Sequence, residues 1–271
     1  MHGQVPNWMW SICKETLIFL DIYDNFILDE LPVFIPWVNL LCLRLSLNTF
    51  HGRLPIPPPS LIEYGATNNK FIGEISPLLC NMSYFLYLDL SKNNLSGTLP
   101  QCLGKFSDDL ILLLLGRNSF HGMIPQSYNN RSSLRMIDVS HNQLHGQLLR
   151  SLKNCVMLEY LDSLEQMLTS PSYVFLIYLS TISQSIPYSI TIAIKGLELY
   201  YSKIEEGFAT IDISSNKFEG KIPEFIGNLM ELRSLNLCNN ILTGSILSSL
   251  GKLTNLESLD LSQNKLSGQI P

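Results

Sequence analysis

Apolar residues recur along this chain at spacings that fit neither a single helix nor a single strand. In the stretch 256–271, leucine or isoleucine occupies positions 256, 259, 261, 266 and 270. A helix requires spacings of three and four, and a half-buried strand requires every second residue. These positions instead fit a chain that winds once and buries each apolar side chain in a shared interior. Asn264 lies among the leucines, so we expect its amide to bond to backbone groups of a neighbouring turn.

The same template recurs upstream at nearly constant intervals. The asparagines that occupy the template position of Asn264 follow one another at intervals of 21 to 25 residues. The exception is the interval of 74 residues between Asn142 and Asn216. A period of this length with the pattern Leu-x-x-Leu-x-Leu-x-x-Asn-x-Leu is the leucine-rich-repeat signature. We therefore predict an α/β repeat solenoid, a leucine-rich-repeat superhelix with a parallel concave β-sheet, in which each coil contacts only its neighbours. The predicted asparagine ladder consists of Asn25, Asn48, Asn69, Asn93, Asn118, Asn142, Asn216, Asn240 and Asn264.

The two-residue alternation of a strand assigns the faces of the predicted sheet. In the repeat that ends at Asn93, Leu88 and Leu90 are predicted to point inward, and Tyr87 and Asp89 outward. Aspartate recurs at one outward position. It is interpreted either as a solubilising residue that accepts hydrogen bonds from adjacent coils or as part of a binding face. The aspartates concerned are Asp89, Asp138, Asp212 and Asp260.

The interval between Asn142 and Asn216 interrupts the array. Its length is close to three repeats, so it can hold two decayed coils, of which residues 158–166 keep the frame of the first. The rest of the interval is interpreted as a non-repeat loop or island that folds against the solenoid. Residues 166–194 carry no charge, but two prolines and the polar run 180–185 disfavour a membrane helix, which needs about 20 mostly apolar residues. Ile190, Ile192 and Ile194 alternate as in a strand. We divide the chain into leucine-rich repeats at 1–160, a degenerate repeat with an island segment at 161–207, and leucine-rich repeats at 208–271.

Both ends of the sequence interrupt a repeat. Residues 1–6 look like the closing half of a coil, and Pro271 stands inside another. The first residues lack the basic, apolar and small-residue segments of a signal peptide. We therefore expect a chain that is truncated at both ends, without a signal peptide or a transmembrane helix of its own.

The template Leu-x-Leu-Ser-x-Asn-x-Leu-Ser-Gly-x-Ile-Pro resembles the plant-specific class of leucine-rich repeats. More narrowly, the chain resembles plant receptor-like proteins, the kinase-less cell-surface receptors of the disease-resistance type. Residues 79–83 with 100–104 are similar to a paired-cysteine coil of that family. Residues 189–216 are similar to the end of its island, and the last three coils to the repeats that follow it.

This resemblance implies a ligand-recognition ectodomain in defence or developmental signalling. The full-length parent would lie in the plasma membrane, with these repeats on the extracellular side. Its partners would be a peptide, protein or carbohydrate elicitor and a receptor kinase co-receptor or adaptor. Two alternatives stay open: a soluble protein like the polygalacturonase-inhibiting proteins, or a receptor fragment without function.

Cysteines and glycosylation motifs bear on the compartment. Cys80 and Cys102 lie on successive coils, so a disulfide between them is feasible, although the sequence leaves its geometry open. Asn81, Asn94 and Asn130 begin Asn-x-Ser motifs, which are acceptors for N-glycans. Together with the family resemblance, these motifs favour a secreted protein.

Composition and motifs argue against catalysis. Charged residues make up only 15% of the chain, against about 25% in average globular domains, as expected when every coil adds to one core. The net charge of −5 disfavours a nucleic-acid partner. No phosphate-binding loop, catalytic triad or metal-ligand cluster is recognisable, so we predict no catalytic residue, no metal and no cofactor. The residues we select for ligand contact are Arg117, Arg135, His141, Asp212, Arg233 and Glu257 on the sheet, with Lys195 and Lys203 in the island.

Overall fold

The computed structural model describes residues 1–82, 85–104, 110–125, 134–148, 190–194, 197–201 and 209–271. All structural statements below refer to these ranges. We number the strands β1 to β21 in chain order and the coils 1 to 9 by the strand that each adds to the larger sheet.

A parallel sheet of nine strands, the main sheet, runs the length of the solenoid. Each strand pairs with the strand of the next coil, in the register that the repeat predicts; for example, Leu112 lies opposite both Tyr87 and Met136. The strands in order are β2 (Phe19–Asp21), β4 (Cys42–Arg44), β6 (Glu63–Gly65), β8 (Tyr87–Asp89), β10 (Leu112–Leu114), β12 (Met136–Asp138), β16 (Ala209–Asp212), β18 (Leu232–Asn236) and β20 (Ser258–Asp260).

A second parallel sheet of eight short strands, the side sheet, follows the ladder asparagines. Its strands are β5 (His51–Arg53), β7 (Lys70–Gly73), β9 (Asn94–Thr98), β11 (Ser119–Gly122), β13 (Gln143–Gln147), β17 (Lys217–Lys221), β19 (Ile241–Gly244) and β21 (Lys265–Leu266). Two further strands, β1 (His2–Gly3) and β3 (Phe26–Ile27), pair at the amino-terminal end.

Among the described residues, five segments between the strands form short 3₁₀ helices and none forms an α-helix. They span Asn7–Ser11, Pro77–Asn81, Gln101–Gly104, Glu224–Asn228 and Ser248–Lys252. No helix in the described part of the chain is long and apolar enough to cross a membrane. The fold is therefore a parallel β-solenoid of about 24-residue coils, as the sequence predicts.

One continuous apolar core fills the space between the two sheets and the 3₁₀ helices. Leu88 and Leu90 are fully buried, as the alternation predicts. Phenylalanines two residues after the ladder asparagines add a second buried column, in which the rings of Phe50 and Phe71 stack with their centroids 6.2 Å apart. Burying such side chains contributes roughly 2–3 kcal/mol each, so the core itself holds neighbouring coils together.

The ladder passes directly from coil 6 to coil 7. Strand β12 pairs with β16, and β13 pairs with β17. The backbone N–H of Leu144 donates to Asn216 Oδ1 at 3.0 Å, across 72 residues of sequence. The interval therefore does not insert a coil between coils 6 and 7, and the predicted degenerate repeat at its start stays a prediction.

The long interval contains an antiparallel hairpin of β14 (Ile190–Ile194) and β15 (Leu197–Tyr201). The alternation of isoleucines predicted the first of these strands. The boundaries proposed at 160/161 and 207/208 lie outside the described residues and stay predictions.

Candidate ligand-binding face

The asparagine ladder fixes the spacing of the main-sheet strands. In coil 4, Asn93 Oδ1 accepts the N–H of Phe71 at 3.1 Å. Its Nδ2 donates to the carbonyl of Ala66 on the preceding coil at 2.9 Å, and to the carbonyls of Leu90 and Ser91 on its own coil. Equivalent bonds link the preceding coil to each of the ladder residues Asn48, Asn69, Asn118, Asn142, Asn216, Asn240 and Asn264. At the first coil, Asn25 accepts from the amino group of Met1.

The face of the main sheet that points away from the core is the outer face, which the sequence predicts to be concave. Equivalent residues of successive coils form straight rows across it. The aspartate row consists of Asp21, Arg44, Gly65, Asp89, Leu114, Asp138, Asp212, Asn236 and Asp260.

The carboxylates of the aspartate row close turns within their own coils. Asp89 Oδ1 accepts the N–H of Ser91 at 3.0 Å, and Asp138 Oδ1 accepts the N–H of Ser140 at 2.8 Å. Asp21, Asp212 and Asp260 make the same bond with the second residue that follows. Capping a turn in this way is an ordinary role of aspartate. The predicted acceptance from an adjacent coil is confirmed for Asp212, whose Oδ2 accepts from Asn236 Nδ2 on the next coil at 3.1 Å.

Burial makes three of these carboxylates weaker acids. Desolvation raises the pKa of Asp89 to about 6, although bonds from Ser91 oppose the shift. Desolvation, followed by repulsion from Asp138, raises the pKa of Asp212 to about 6. Desolvation also raises the pKa of Asp138. The row thus changes charge in mildly acidic solution.

The amino-terminal end of the row carries a nearly buried ion pair that sequence reasoning missed. Arg44 Nε donates to Glu63 Oε1 at 2.6 Å, and Arg44 Nη1 lies 3.6 Å from Asp21 Oδ2. The guanidinium also lies over the ring of Phe19, 5.5 Å from its centroid. The sequence signal was an arginine at a position that other coils fill with aspartate. This network uses its charges internally, so we assign it to the scaffold.

The corner row lies where the strands turn, one residue before each ladder asparagine. Its residues all have φ between 50° and 57°: Asp24, Leu47, Asn68, Lys92, Arg117, His141, Ser215, Asn239 and Gln263. The predicted contacts Arg117 and His141 both belong to this row and are exposed. Desolvation, followed by repulsion from Arg117, lowers the pKa of His141. Lys92, half-buried in the same row, was not among the predicted contacts.

The opposite edge of the outer face holds the remaining predicted contacts. Arg135, half-buried, lies just before β12, and Arg233 occupies the equivalent position of its own coil as the second residue of β18. Arg233 Nη1 donates to Glu257 Oε1 on the next coil at 2.9 Å. Asp212 is 8% exposed and its carboxylate bonds to Ser214 and Asn236, so we remove it from the proposed contact surface. Lys195 and Lys203 lie outside the described residues.

Modification candidates lie away from the outer face. Cys80 and Cys102 form a disulfide that joins two successive 3₁₀ helices, with Cα atoms 5.5 Å apart. Asn81 and Asn94 are exposed, on a 3₁₀ helix and on the side sheet respectively, and Asn130 lies outside the described residues.

Within the described ranges, no group of three or more His, Cys, Asp or Glu side chains could hold a metal ion.

Comparison with known proteins shows which family this solenoid belongs to. Residues 85–106, 133–155, 208–229, 231–253 and 255–271 match the Leucine Rich Repeat family. Receptor-like protein 35 of Arabidopsis thaliana is 33% identical over 225 residues, which cover 78% of this chain and 23% of the relative. Receptor-like protein 32 of the same plant is 34% identical over 297 residues, which cover 86% of this chain and 32% of the relative. This chain is a leucine-rich-repeat protein related to the Arabidopsis receptor-like proteins. It spans a third or less of the length of these two relatives.

Solved structures of plant receptors have the same fold as this chain. A TDR receptor matches all of this chain with a TM-score of 0.72 and 26% identity, over 38% of its own length. The leucine-rich-repeat ectodomain of the Arabidopsis receptor kinase GASSHO1/SCHENGEN3, in complex with Casparian strip integrity factor 2, matches all of it with a TM-score of 0.71 and 25% identity, over 30% of its own length.

A third match shows the fold alone. The Arabidopsis receptor kinase HAESA, in complex with the peptide hormone IDA and the co-receptor SERK1, reaches a TM-score of 0.71 at 24% identity over all of this chain and 41% of its own. The relatives described here are receptor-like proteins and receptor ectodomains rather than enzymes.

Proposed function

We propose that this chain is a ligand-recognition segment of a plant cell-surface receptor-like protein that acts in defence or developmental signalling. The observation that carries the proposal is the continuous outer face of the main sheet, where Arg117, His141 and Glu257 are exposed on a scaffold that the ladder and the core hold fixed. A preformed surface loses little conformational entropy on binding, which suits recognition of a signal present at low concentration.

The proposed ligand is a peptide, protein or carbohydrate elicitor. Its contact surface comprises Arg117, Arg135, His141, Arg233 and Glu257, and Lys195 and Lys203 stay predicted members of it. Support for a protein or peptide ligand comes from two of the structures described above, GASSHO1/SCHENGEN3 in complex with Casparian strip integrity factor 2 and HAESA in complex with the peptide hormone IDA.

We further propose that the full-length parent lies in the plasma membrane and signals through a receptor kinase co-receptor or adaptor. The HAESA complex, which includes SERK1, is the example on which this part of the proposal draws. Exposed Asn81 and Asn94 would carry N-glycans in the secretory pathway. Neither lies on the outer face, so glycans there would leave the proposed contact surface open.

The test is a binding panel with matched charge variants. The folded chain is immobilised and probed by biolayer interferometry with a set of synthetic plant peptide hormones, cell-wall oligosaccharides and a SERK ectodomain. Arg135→Glu reverses a charge on the outer face, and Lys252→Glu makes the same change on the exposed 3₁₀ helix at the opposite side of the coil.

We expect at least one probe to bind, and its affinity to fall at least tenfold with Arg135→Glu but not with Lys252→Glu. Equal affinity for both variants would contradict the outer-face assignment. Addition of the wild-type chain to a polygalacturonase assay tests the alternative function, and inhibition there without binding on the panel would replace the receptor proposal.

A further inference from the structure

Three consecutive coils carry basic side chains in the corner row. Lys92, Arg117 and His141 occupy this position on coils 4, 5 and 6. Backbone hydrogen bonds join each of these coils to the next: Lys92 N–H donates to the carbonyl of Gly116 at 2.8 Å, and Arg117 N–H donates to the carbonyl of Ser140 at 2.9 Å. The side chains therefore rise from one edge of the outer face at the spacing of neighbouring strands, about 4.8 Å. We call these three residues the basic row.

The backbone conformation does not account for these residue types. Left-handed φ is tolerated best by glycine, asparagine and aspartate. The corner row follows this preference at Asp24, Asn68 and Asn239. On coils 4 and 5 it instead holds lysine and arginine, whose long cationic side chains bring no backbone advantage, whereas histidine on coil 6 is a residue type that this conformation also favours. For Lys92 and Arg117, a binding role explains the residue type better than a turn requirement does.

The charge around the basic row is predominantly positive. In the described parts of coils 4 to 6, the carboxylates are Asp89, which attracts Lys92, and Asp138, which attracts Arg117 and His141; both are half-buried and accept hydrogen bonds from Ser91 and Ser140. The exposed face of these coils also includes Arg135. The chain as a whole has a net charge of −5, so this basic patch contrasts with the rest of the surface.

We propose that the basic row is a docking surface for an acidic peptide segment, laid in extended conformation across coils 4 to 6. This proposal rests on the proposed receptor function and names the chemistry of its ligand. Alternate carboxylates of an extended peptide are about 7 Å apart, which the flexible stems of Lys92 and Arg117 can match. Arg117 can pair with one carboxylate in bidentate fashion.

Acidic solution strengthens this docking. The charged groups that act on His141 are Arg117 on coil 5 and Asp138 on its own coil, and Asp138 in turn lies near Asp212 on coil 7. As the pH falls from 7.5 to 6, Asp89 and Asp212, whose pKa values are about 6, begin to lose their charge, whereas the lowered pKa of His141 keeps its imidazole mostly neutral over this range. The loss of negative charge makes the surroundings of the row more positive, while glutamate side chains of a peptide stay ionised because their pKa is about 4.3.

The test uses a fluorescein-labelled hexaglutamate peptide as the probe, with hexalysine as the opposite-charge control, and follows fluorescence anisotropy at pH 7.5 and pH 6. Arg117→Gln is compared with Gln263→Glu. Both substitutions lower the net charge by one at the same position of the coil, and the first introduces the residue that coil 9 already carries there. A circular dichroism spectrum of each variant verifies that it folds.

We expect the wild-type chain to bind hexaglutamate more tightly at pH 6 and at low salt, since surface charges are screened by salt. Arg117→Gln should weaken binding at least threefold and the double variant Lys92→Gln/Arg117→Gln about tenfold, whereas Gln263→Glu should change it less than twofold. Equal effects of Arg117→Gln and Gln263→Glu would mean that net charge alone governs binding, and would overturn the proposal. Absence of hexaglutamate binding would also overturn it but would leave the proposed function to the Arg135→Glu panel.

Discussion

Polar side chains in this protein act mainly by satisfying the backbone of a tightly wound coil. Asn93 accepts one N–H and donates to three carbonyls from a position that is 8% exposed. Asp89 caps the turn that leads into it. A buried backbone group that loses such a partner has no water to replace it. These side chains therefore contribute more to the free energy of unfolding than their small size suggests.

Replacement of Asn93 by alanine tests the ladder. The change leaves the N–H of Phe71 and the carbonyl of Ala66 without their partner inside the core. We expect the free energy of unfolding to fall by about 3 kcal/mol, from the loss of several buried hydrogen bonds. Asn94→Ala, at the next and exposed position, should change it by less than about 0.5 kcal/mol in unglycosylated protein. Urea unfolding of the two variants decides the matter, and similar midpoints would contradict a ladder role.

Asp89 should make stability depend on pH. Its pKa is about 6 in the folded chain against an ordinary value of 3.8, so between these pH values the folded state keeps a proton that the unfolded state has released. The stabilisation from this group is thus fully present below about pH 4 and is lost as the pH rises through 6.

Asp89→Asn is expected to keep the turn bond, as Asn236 does with Cys238, and to remove the buried charge. We expect a gain on the order of 1 kcal/mol at pH 7.5 and little gain at pH 4. Asp89→Ala, which also removes the acceptor for Ser91 N–H, should be less stable than Asp89→Asn at both pH values. Thermal unfolding at pH 4 and pH 7.5 measures these differences. If the melting temperatures of wild type and Asp89→Asn change by the same amount between the two pH values, the raised pKa of Asp89 is contradicted.

At the scale of elements, successive 3₁₀ helices pack closely where a glycine permits it. A Cβ atom added at Gly227, in the helix Glu224–Asn228, would lie 2.6 Å from the carbonyl oxygen of Ser249 on the next coil. At Gly251, the equivalent position one coil later, a Cβ atom would meet nothing within 4 Å. The same residue type therefore has different importance on adjacent coils.

We expect Gly227→Ala to destabilise the chain by about 1–3 kcal/mol, because the backbone of the next coil must move. Gly251→Ala should be neutral or stabilising by up to about 1 kcal/mol, since alanine restricts the unfolded chain. Chemical denaturation of both variants gives the comparison. Equal destabilisation by the two substitutions would indicate that helix packing is not the cause.

At the scale of the whole molecule, the repeats form one stack although the sequence interrupts them. Asn216 Nδ2 donates to the carbonyl of Val139 at 2.9 Å, the same bond that links coils with short connections. In the main sheet, coil 7 therefore follows coil 6 directly, although the interval 149–208 separates them in the sequence.

This arrangement predicts that the interval can be exchanged for a regular connection. Leu148 and Ile222 occupy equivalent positions in their coils, as do Ala209 and Arg233, so residues 223–232 are the corresponding ten-residue connection. Replacement of 149–208 by that segment should preserve hydrogen-exchange protection of the amides of β12 and β16. The matched control is the same segment placed at 125–134, which joins coils 5 and 6. Loss of protection in the first chimera alone would show that the stack depends on the interval.

The sequence by itself determined the repeat, the ladder, the inward leucines and one strand of the hairpin. It could do so because each coil must bury the same side chains and satisfy the same backbone groups, and this local requirement is written at fixed spacing. The corner row likewise followed from its distance to each asparagine. Arg117 and His141 could be placed on one face for that reason.

Only the tertiary structure decided which coils are neighbours across the long interval. The spacing of 74 residues is compatible with further coils between Asn142 and Asn216, and strand pairing alone shows that coils 6 and 7 are direct neighbours. The structure also decided that Asp212 is buried and that Arg233 is paired with Glu257, whereas Arg117 and His141 are exposed. The burial and the ion pairing of a side chain depend on which residues occupy the equivalent positions of the adjacent coils. Those residues become neighbours only in the folded solenoid.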